Sequence, residues 1–167
     1  MPERSADFEL LLRALQSREV EFLVVGGASA VLQGAPILTL DLDIVQERSS
    51  ANAARLLAAL KDLDACYREH LPNKILRPRE RDLAGPGHHL LMTRAGPLDV
   101  LGAIGAGRDY AYLLPRSEAV TVAGSLTVRV LDLPTLIQVK EEAGRDKDAQ
   151  GLVVLRHLLE ERSRRDP

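Results

Sequence analysis

The sequence predicts one α/β (α+β) domain in which helices flank a mixed β-sheet and two further helices close the chain. Strand-like and helix-like patterns are interspersed along the 167 residues, which is the order expected of such a domain. Hydrophobic residues make up 46% of the chain, and the single cysteine excludes an intramolecular disulfide. We therefore expect a single domain over residues 1–167, with a core at about 20–130 and a C-terminal helical part at about 131–163.

The first half of the chain alternates between helix and strand signals. Apolar residues at helical spacing predict an amphipathic helix over 5–18, and the apolar run 20–25 predicts a buried strand that ends at two glycines. A short helix, a strand with one polar face and a helix capped by serine follow. Their predicted ranges are 28–33, 39–45 and 51–63.

The second half begins with weak strand character over 65–76. Glycine and proline among charged residues then predict an exposed, mobile loop over 77–87. The elements expected after this loop are two strand pairs and two helices: 89–93 with 97–101, 119–122 with 126–130, 132–142, and 147 to about 162.

Charge and hydropathy exclude several function classes. Lys and Arg number 22 and Asp and Glu 24, so the net charge of −2 does not indicate a strongly basic nucleic-acid binder. The first residues are charged and form no apolar signal core, and the longest apolar stretch, 22–32, is about half a membrane span. We expect a cytoplasmic protein with no membrane partner.

Three aspartates are the first candidates for chemistry. Asp41 and Asp43 are two apart on a predicted strand, so their carboxylates share a face and repel unless a cation lies between them. Asp99 lies between apolar residues in another predicted strand, where a charge rarely lacks a partner. If the two strands are neighbours, the three carboxylates would suit two divalent metal ions. Solvent-facing aspartates on exposed strand ends are the alternative explanation.

A glycine pair provides a second signal. Gly26 and Gly27 follow the buried strand and precede a helix, and the lack of side chains lets main-chain N–H groups approach a phosphate. Ser29, on the first turn of that helix, could add a hydroxyl. Taken alone, two glycines indicate only a turn.

The order of these motifs resembles that of the nucleotidyltransferase superfamily: Gly-Gly, then Asp-x-Asp, then one carboxylate on a later strand. Residues 22–34 and 39–44 look like the core of polymerase-beta-like nucleotidyltransferases. They are most similar to the small bacterial minimal type and to the abortive-infection, toxin–antitoxin branch. Segments 136–140 and 144–148 resemble the closing helices of that branch. The resemblance covers about 20–160 and implies the nucleotidyltransferase fold.

The resemblance implies transfer of a nucleoside monophosphate from an NTP to an acceptor hydroxyl, with release of pyrophosphate. It implies that the catalytic and metal-binding residues are Asp41, Asp43 and Asp99, with Mg²⁺ or Mn²⁺ as cofactor. The residues implied to bind the nucleotide are Gly26, Gly27, Ser29 and Lys140, with Lys147 as a weaker candidate. The acceptor could be a tRNA, a protein or a small molecule, and the branch suggests a toxin–antitoxin partner protein.

One position departs from the family pattern. Many members of the branch carry an arginine two residues before the threonine that precedes Asp-x-Asp, and this chain has Ile37 there. An alternative therefore stays open: a catalytically degenerate protein of this fold that acts as a partner-binding, antitoxin-like module. A metal-dependent nuclease would use the same carboxylates, but it gives no reason for the Gly-Gly turn.

Overall fold

The computed structural model describes residues 5–69 and 72–166. The strands are β1 (Phe22–Val25), β2 (Leu42–Gln46), β3 (Cys66–Tyr67), β4 (His88–Thr93), β5 (Gly96–Leu101), β6 (Ser117–Val122) and β7 (Leu126–Leu131). The α-helices are α1 (Phe8–Ser17), α2 (Gly26–Leu32), α3 (Ser50–Asp62), α4 (Glu80–Leu83), α5 (Tyr110–Leu113), α6 (Leu133–Ala143) and α7 (Ala149–Arg165). Short 3-10 helices span Leu114–Arg116 and Asp146–Asp148.

The strands form one sheet in the order β3-β4-β5-β2-β1-β7-β6. Strand β2 pairs antiparallel with β1 and parallel with β5, and β1 pairs parallel with β7. The outer pairs β3–β4, β4–β5 and β6–β7 are antiparallel. The predicted mixed sheet is confirmed.

Helices cover both faces of this sheet. Phe22 and Val24 of β1 lie in a core that includes residues of α1 and α3, whereas Leu23 and Val25 lie in a second core with α6 and α7. Burial on both faces explains why β1 is a continuous apolar run. The two closing helices cover one side of the sheet, as predicted. None of the helices in the described ranges has both the length and the apolar character of a membrane span.

Strand β2 begins later than the alternating pattern at 39–45 predicts. Strand β1 pairs with β2 only as far as Val25 opposite Asp43, because the chain leaves the sheet at Gly26. On the other side of β2, pairing with β5 starts at Leu42. The strand pairing of β2 therefore begins at Leu42, and Asp41 lies immediately before the strand rather than inside it.

The predicted exposed loop over 77–87 is wrong in its middle part. It contains the single-turn helix α4, whose Leu83 is fully buried in the core. The carbonyl of Leu83 accepts a hydrogen bond of 3.0 Å from the buried side chain of Gln46. This segment is thus anchored on the sheet by one apolar side chain that the glycine and proline content obscured.

His89 on β4 links this segment to the sheet. Its Nε2 lies 3.1 Å from the carbonyl of Asp82, which can only accept, so Nε2 carries the hydrogen. Its Nδ1 then accepts a 2.8 Å hydrogen bond from the hydroxyl of Tyr67. Burial lowers the pKa of His89, because the charged ring is poorly solvated there.

We expect this histidine to make stability depend on pH. In the unfolded chain His89 takes up a proton near 6.5, whereas the folded state does so only at lower pH. Its contribution to the free energy of unfolding is complete above about pH 6.5 and falls below it, by up to about 1.4 kcal/mol per pH unit. His89→Gln should be less stable at pH 7 and lose less stability between pH 6.5 and 5.

Urea unfolding at these pH values measures the difference, and His88→Gln is the matched control because His88 is exposed on the same strand. An equal pH dependence in wild type and His89→Gln would contradict the prediction.

Candidate active site

The three aspartates converge at one end of the sheet. Because β2 and β5 are parallel neighbours, Asp43 and Asp99 are direct partners in the strand register. Asp41 joins them from the residue before β2. One carboxylate oxygen from each of the three lies within 4.8 Å of the others, and all three residues are partly buried. The strand adjacency on which the sequence hypothesis depended is therefore present.

Asp43 carries a large electrostatic cost in this cluster. Burial raises the pKa of Asp43 to about 8, with further increases from Asp99 and Asp41 and a smaller opposing effect from Arg68. Its Oδ1 is buried and has no hydrogen-bond partner among the described residues. An unpartnered carboxylate oxygen in such a place is costly, and a divalent cation held by oxygen ligands would remove that cost. The donor set thus fits a divalent metal ion.

Gly26 makes room for the Asp43 carboxylate. The turn from β1 into α2 places Gly26 in the left-handed region, with φ of +62°. A Cβ at this position would overlap Oδ2 of Asp43, and a Cβ on Gly27 would lie 3.0 Å from Oγ1 of Thr39. The glycine pair is required by the close approach of this turn to Asp43 on β2 and to Thr39 in the segment before it.

Ser29 does not face the site. Its side chain is fully buried, and its hydroxyl donates a 2.7 Å hydrogen bond to the carbonyl of Gly26. The hydroxyl expected to contact a phosphate is instead used inside the first turn of α2. It stabilises the conformation of the Gly-Gly turn.

A cleft of about 940 Å³ opens over the carboxylates. Its walls are formed by the segment before β2, the turn between α6 and α7, and the end of β3. The lining residues with charged side chains are Asp41, Asp43, Asp99, Arg68, Lys140, Arg145, Lys147 and Asp148. Negative charge is concentrated at the sheet, and positive charge lies on the wall formed by α6 and the turn that follows it.

Asp148 holds two of these cations in place. Its carboxylate lies 2.8 Å from Nε of Arg145 and 3.5 Å from Nζ of Lys140. Burial alone would raise the pKa of Asp148, but the two cations outweigh it and lower the pKa. Asp148 therefore stays ionised and positions Lys140 in the cleft. The resemblance drew attention to segment 144–148, but sequence reasoning assigned Asp148 no role, although an aspartate at the start of a predicted helix was a usable signal.

A second cleft, of about 610 Å³, lies on the other side of the carboxylates. It shares Asp43, Asp99, Lys140 and Arg145 with the first cleft. Much of the rest of its lining is aliphatic: Val25, Leu90, Leu101, Ile104, Ala106, Leu136, Val139 and Ala143. Asp43 and Asp99 thus lie at the border between a charged cleft and a largely apolar one.

Arg68 is a site residue that sequence reasoning missed. It follows the two-residue strand β3, and its Nη2 lies 2.6 Å from Oδ1 of Asp99. Its Nη1 donates a 3.0 Å hydrogen bond to the carbonyl of Leu91. No local pattern marks this arginine, because only the pairing of β3 with β4 brings it near Asp99.

With this geometry in place, known proteins offer one informative comparison. No protein-family model and no curated protein matches the chain. A crystal structure of a "putative nucleotidyltransferase" from Thermotoga maritima is similar, with a TM-score of 0.57 and 20% sequence identity over 92% of this chain and 91% of that chain. The chain has the nucleotidyltransferase fold. The fold predicted from the order of motifs is confirmed.

Gly26→Ala should destabilise the protein by more than the cost of placing alanine in a left-handed backbone conformation. A left-handed conformation costs a non-glycine residue about 1–2 kcal/mol, and the new Cβ would also displace Asp43. Gly124→Ala is the matched control, since Gly124 has φ of +80° and open space around it. Urea unfolding should show a larger loss for Gly26→Ala, by about 1–3 kcal/mol. Equal losses would mean that Asp43 does not depend on Gly26.

Asp43→Asn should stabilise the metal-free protein at alkaline pH. The pKa of Asp43 is about 8 in the folded state against 3.8 as its ordinary value, so the folded state favours the protonated acid. That stability is complete below about pH 3.8 and is lost as pH rises through 8, by up to about 1.4 kcal/mol per pH unit. An amide carries no such penalty.

Thermal unfolding in chelator should therefore give Asp43→Asn a higher Tm than wild type, by a margin that grows from pH 5 to pH 8. Asp64→Asn, at an exposed acid that lines neither cleft, should show no such margin. A Tm difference that does not change with pH would refute the electrostatic account.

Proposed function

We propose that this protein is a metal-dependent nucleotidyltransferase that moves a nucleoside monophosphate from an NTP to an acceptor hydroxyl. The observation that carries the proposal is the convergence of Asp41, Asp43 and Asp99 at the floor of a cleft whose opposite wall is positive. Carboxylates suit a divalent cation, and a positive wall suits a polyphosphate. The nucleotidyltransferase fold of the chain is consistent with this arrangement.

The three aspartates would hold Mg²⁺ or Mn²⁺. A donor set made only of carboxylate oxygens favours these hard cations over zinc, which prefers nitrogen and sulfur ligands. When bound, the cation would neutralise charge on the phosphates and lower the pKa of the acceptor hydroxyl. The buried Oδ1 of Asp43, which has no hydrogen-bond partner in the part of the chain that the structure describes, supports this assignment.

Residues of the chain would orient the triphosphate. We assign phosphate contacts to Lys140, which Asp148 positions in the cleft, and to the main chain at Gly26 and Gly27. Arg145 would add positive charge next to Lys140. Ser29 would act indirectly, by supporting the Gly-Gly turn through its hydrogen bond to Gly26. Fixed positive groups of this kind stabilise the charge that develops on transferring phosphates.

The chemical step is a substitution at the α-phosphorus. The acceptor oxygen forms a bond to this phosphorus, the bond to the bridging oxygen of the β-phosphate breaks, and pyrophosphate leaves. The proton of the acceptor hydroxyl would pass to the carboxylate of Asp99, which lines both clefts. Alignment of the two reactants at the border of the clefts would supply much of the rate.

The second cleft suggests where the acceptor binds. Its aliphatic lining and the net charge of −2 favour a small hydroxylated molecule or a protein side chain over a long RNA, which would need many phosphate contacts. A tRNA end remains an acceptor to test. A toxin–antitoxin pairing with a partner protein is proposed only on the resemblance of the motifs.

A degenerate, partner-binding member of the fold is the second candidate. Two observations favour it: the cleft has Ile37 where many relatives of the toxin–antitoxin branch have arginine, and Arg68 already occupies one oxygen of Asp99. Such a protein would keep the fold and its clefts without binding an NTP in a metal-dependent way.

Calorimetric titration with each of the four NTPs separates the two candidates. Wild type should bind at least one NTP in Mg²⁺ and lose that binding in chelator. The double variant Asp41→Asn/Asp43→Asn should bind at least about tenfold more weakly in Mg²⁺, because two cation ligands are lost. Asp64→Asn, the control acid outside the clefts, should bind like wild type.

Release of pyrophosphate with a supplied acceptor would then establish transfer. If wild type and the double variant both fail to bind any NTP, the enzyme proposal is refuted and the partner-binding candidate is favoured.

A further inference from the structure

Arg68 connects the wall of the charged cleft to the aspartate cluster. Its Nη2 lies 2.6 Å from Oδ1 of Asp99, and Nη1 donates to the carbonyl of Leu91 at 3.0 Å. Its own main-chain N–H donates to the carbonyl of Leu90, so the residue is held along β4. The side chains of Arg68 and Asp99 are only 24% and 14% exposed. Two contacts of the guanidinium therefore fix it beside the cluster.

The acidic partner of Arg68 differs from that of the other paired cations in this cleft. Lys140 and Arg145 both pair with Asp148, which lies outside the aspartate cluster. Arg68 pairs with Asp99, which is itself one of the three residues suited to a cation. A divalent cation and Arg68 would therefore compete for the same carboxylate.

We propose that Arg68 neutralises Asp99 when no divalent cation is bound, and that cation binding transfers its guanidinium from Asp99 to the phosphates of the nucleotide. This inference rests on the proposed function. A cation on Asp99 removes the charge that holds Arg68 and repels the guanidinium. A partly buried guanidinium without an anionic partner is unfavourable, and a polyphosphate in the same cleft supplies that partner.

Because of its hydrogen bond to Leu91, the guanidinium of Arg68 needs to move only a short distance to exchange Asp99 for a phosphate. Nη1 can keep the carbonyl of Leu91 while Nη2 leaves Asp99, so the guanidinium stays at the cleft wall. A planar guanidinium donates in parallel to two phosphate oxygens, which a compact ammonium cannot do. Arg68 is thus a positioning residue that brings phosphates and cation together.

This exchange predicts reciprocal coupling between cation and phosphates. The cation frees Arg68 for the phosphates, and the phosphates free Asp99 for the cation. Each ligand should therefore bind more tightly when the other is present. Removing Arg68 should therefore have opposite effects on the two ligands. It removes a competitor of the cation and a partner of the phosphates.

Calorimetry on Arg68→Gln tests this with two simple probes, Mn²⁺ alone and inorganic tripolyphosphate in the presence of Mn²⁺. The variant should bind Mn²⁺ alone several-fold more tightly and bind tripolyphosphate about tenfold more weakly. Arg68→Lys keeps the charge and should weaken tripolyphosphate binding by a smaller factor. Arg18→Gln is the matched control, because it also removes an arginine paired with an aspartate, outside the cleft.

The outcomes distinguish this inference from the proposed function. If wild type binds both probes and Arg68→Gln or Arg68→Lys leaves tripolyphosphate affinity unchanged, the inference is overturned while the proposed function stands. Weaker Mn²⁺ binding in Arg68→Gln would also overturn it, since Arg68 would then support the cluster rather than compete with the cation. If wild type binds neither Mn²⁺ nor tripolyphosphate, both this inference and the proposed function are overturned.

Discussion

The parallel pairing of β2 with β5 places Asp43 directly beside Asp99, and the rest of the site is arranged around these neighbouring acids. Burial and mutual repulsion raise the pKa of Asp43 to about 8. Gly26 lacks a side chain because the carboxylate of Asp43 occupies that space, and Arg68 offsets part of the negative charge through Asp99. The pairing of these two strands thus requires a residue without a side chain in the turn after β1. It also requires a compensating positive charge, which Arg68 provides from the end of the edge strand β3.

The helices after β7 provide the opposite charge. Helix α6 carries Lys140, and the turn after it carries Arg145 and Asp148, which form one ion-paired group. This group faces the aspartates across the charged cleft, while the aliphatic side chains of α6 line the second cleft. One helix therefore separates a polar space from an apolar one at the aspartate cluster, an arrangement suited to two chemically different substrates.

The site is maintained at a cost in stability. A carboxyl group with a buried oxygen that has no hydrogen-bond partner within residues 5–69 and 72–166 opposes folding. The apolar cores on the two faces of the sheet compensate for that cost, with leucine side chains fully buried on α1, α3 and β2. Groups that are unfavourable in the metal-free protein and converge on one cleft are the pattern expected of a functional site.

The sequence alone determined the order of the main strands and helices and the candidate aspartates, because periodicity and the Gly-Gly and Asp-x-Asp spacings are local properties. It missed the short helices α4 and α5. Local patterns also suggested the wrong start of β2 and an exposed loop where Leu83 is buried, and they did not show that the hydroxyl of Ser29 is hydrogen-bonded to Gly26. Only the tertiary structure decided these points and added Arg68 and Asp148 to the site. Each depends on which backbone and side-chain groups meet across the sheet, and those partners are distant in the chain.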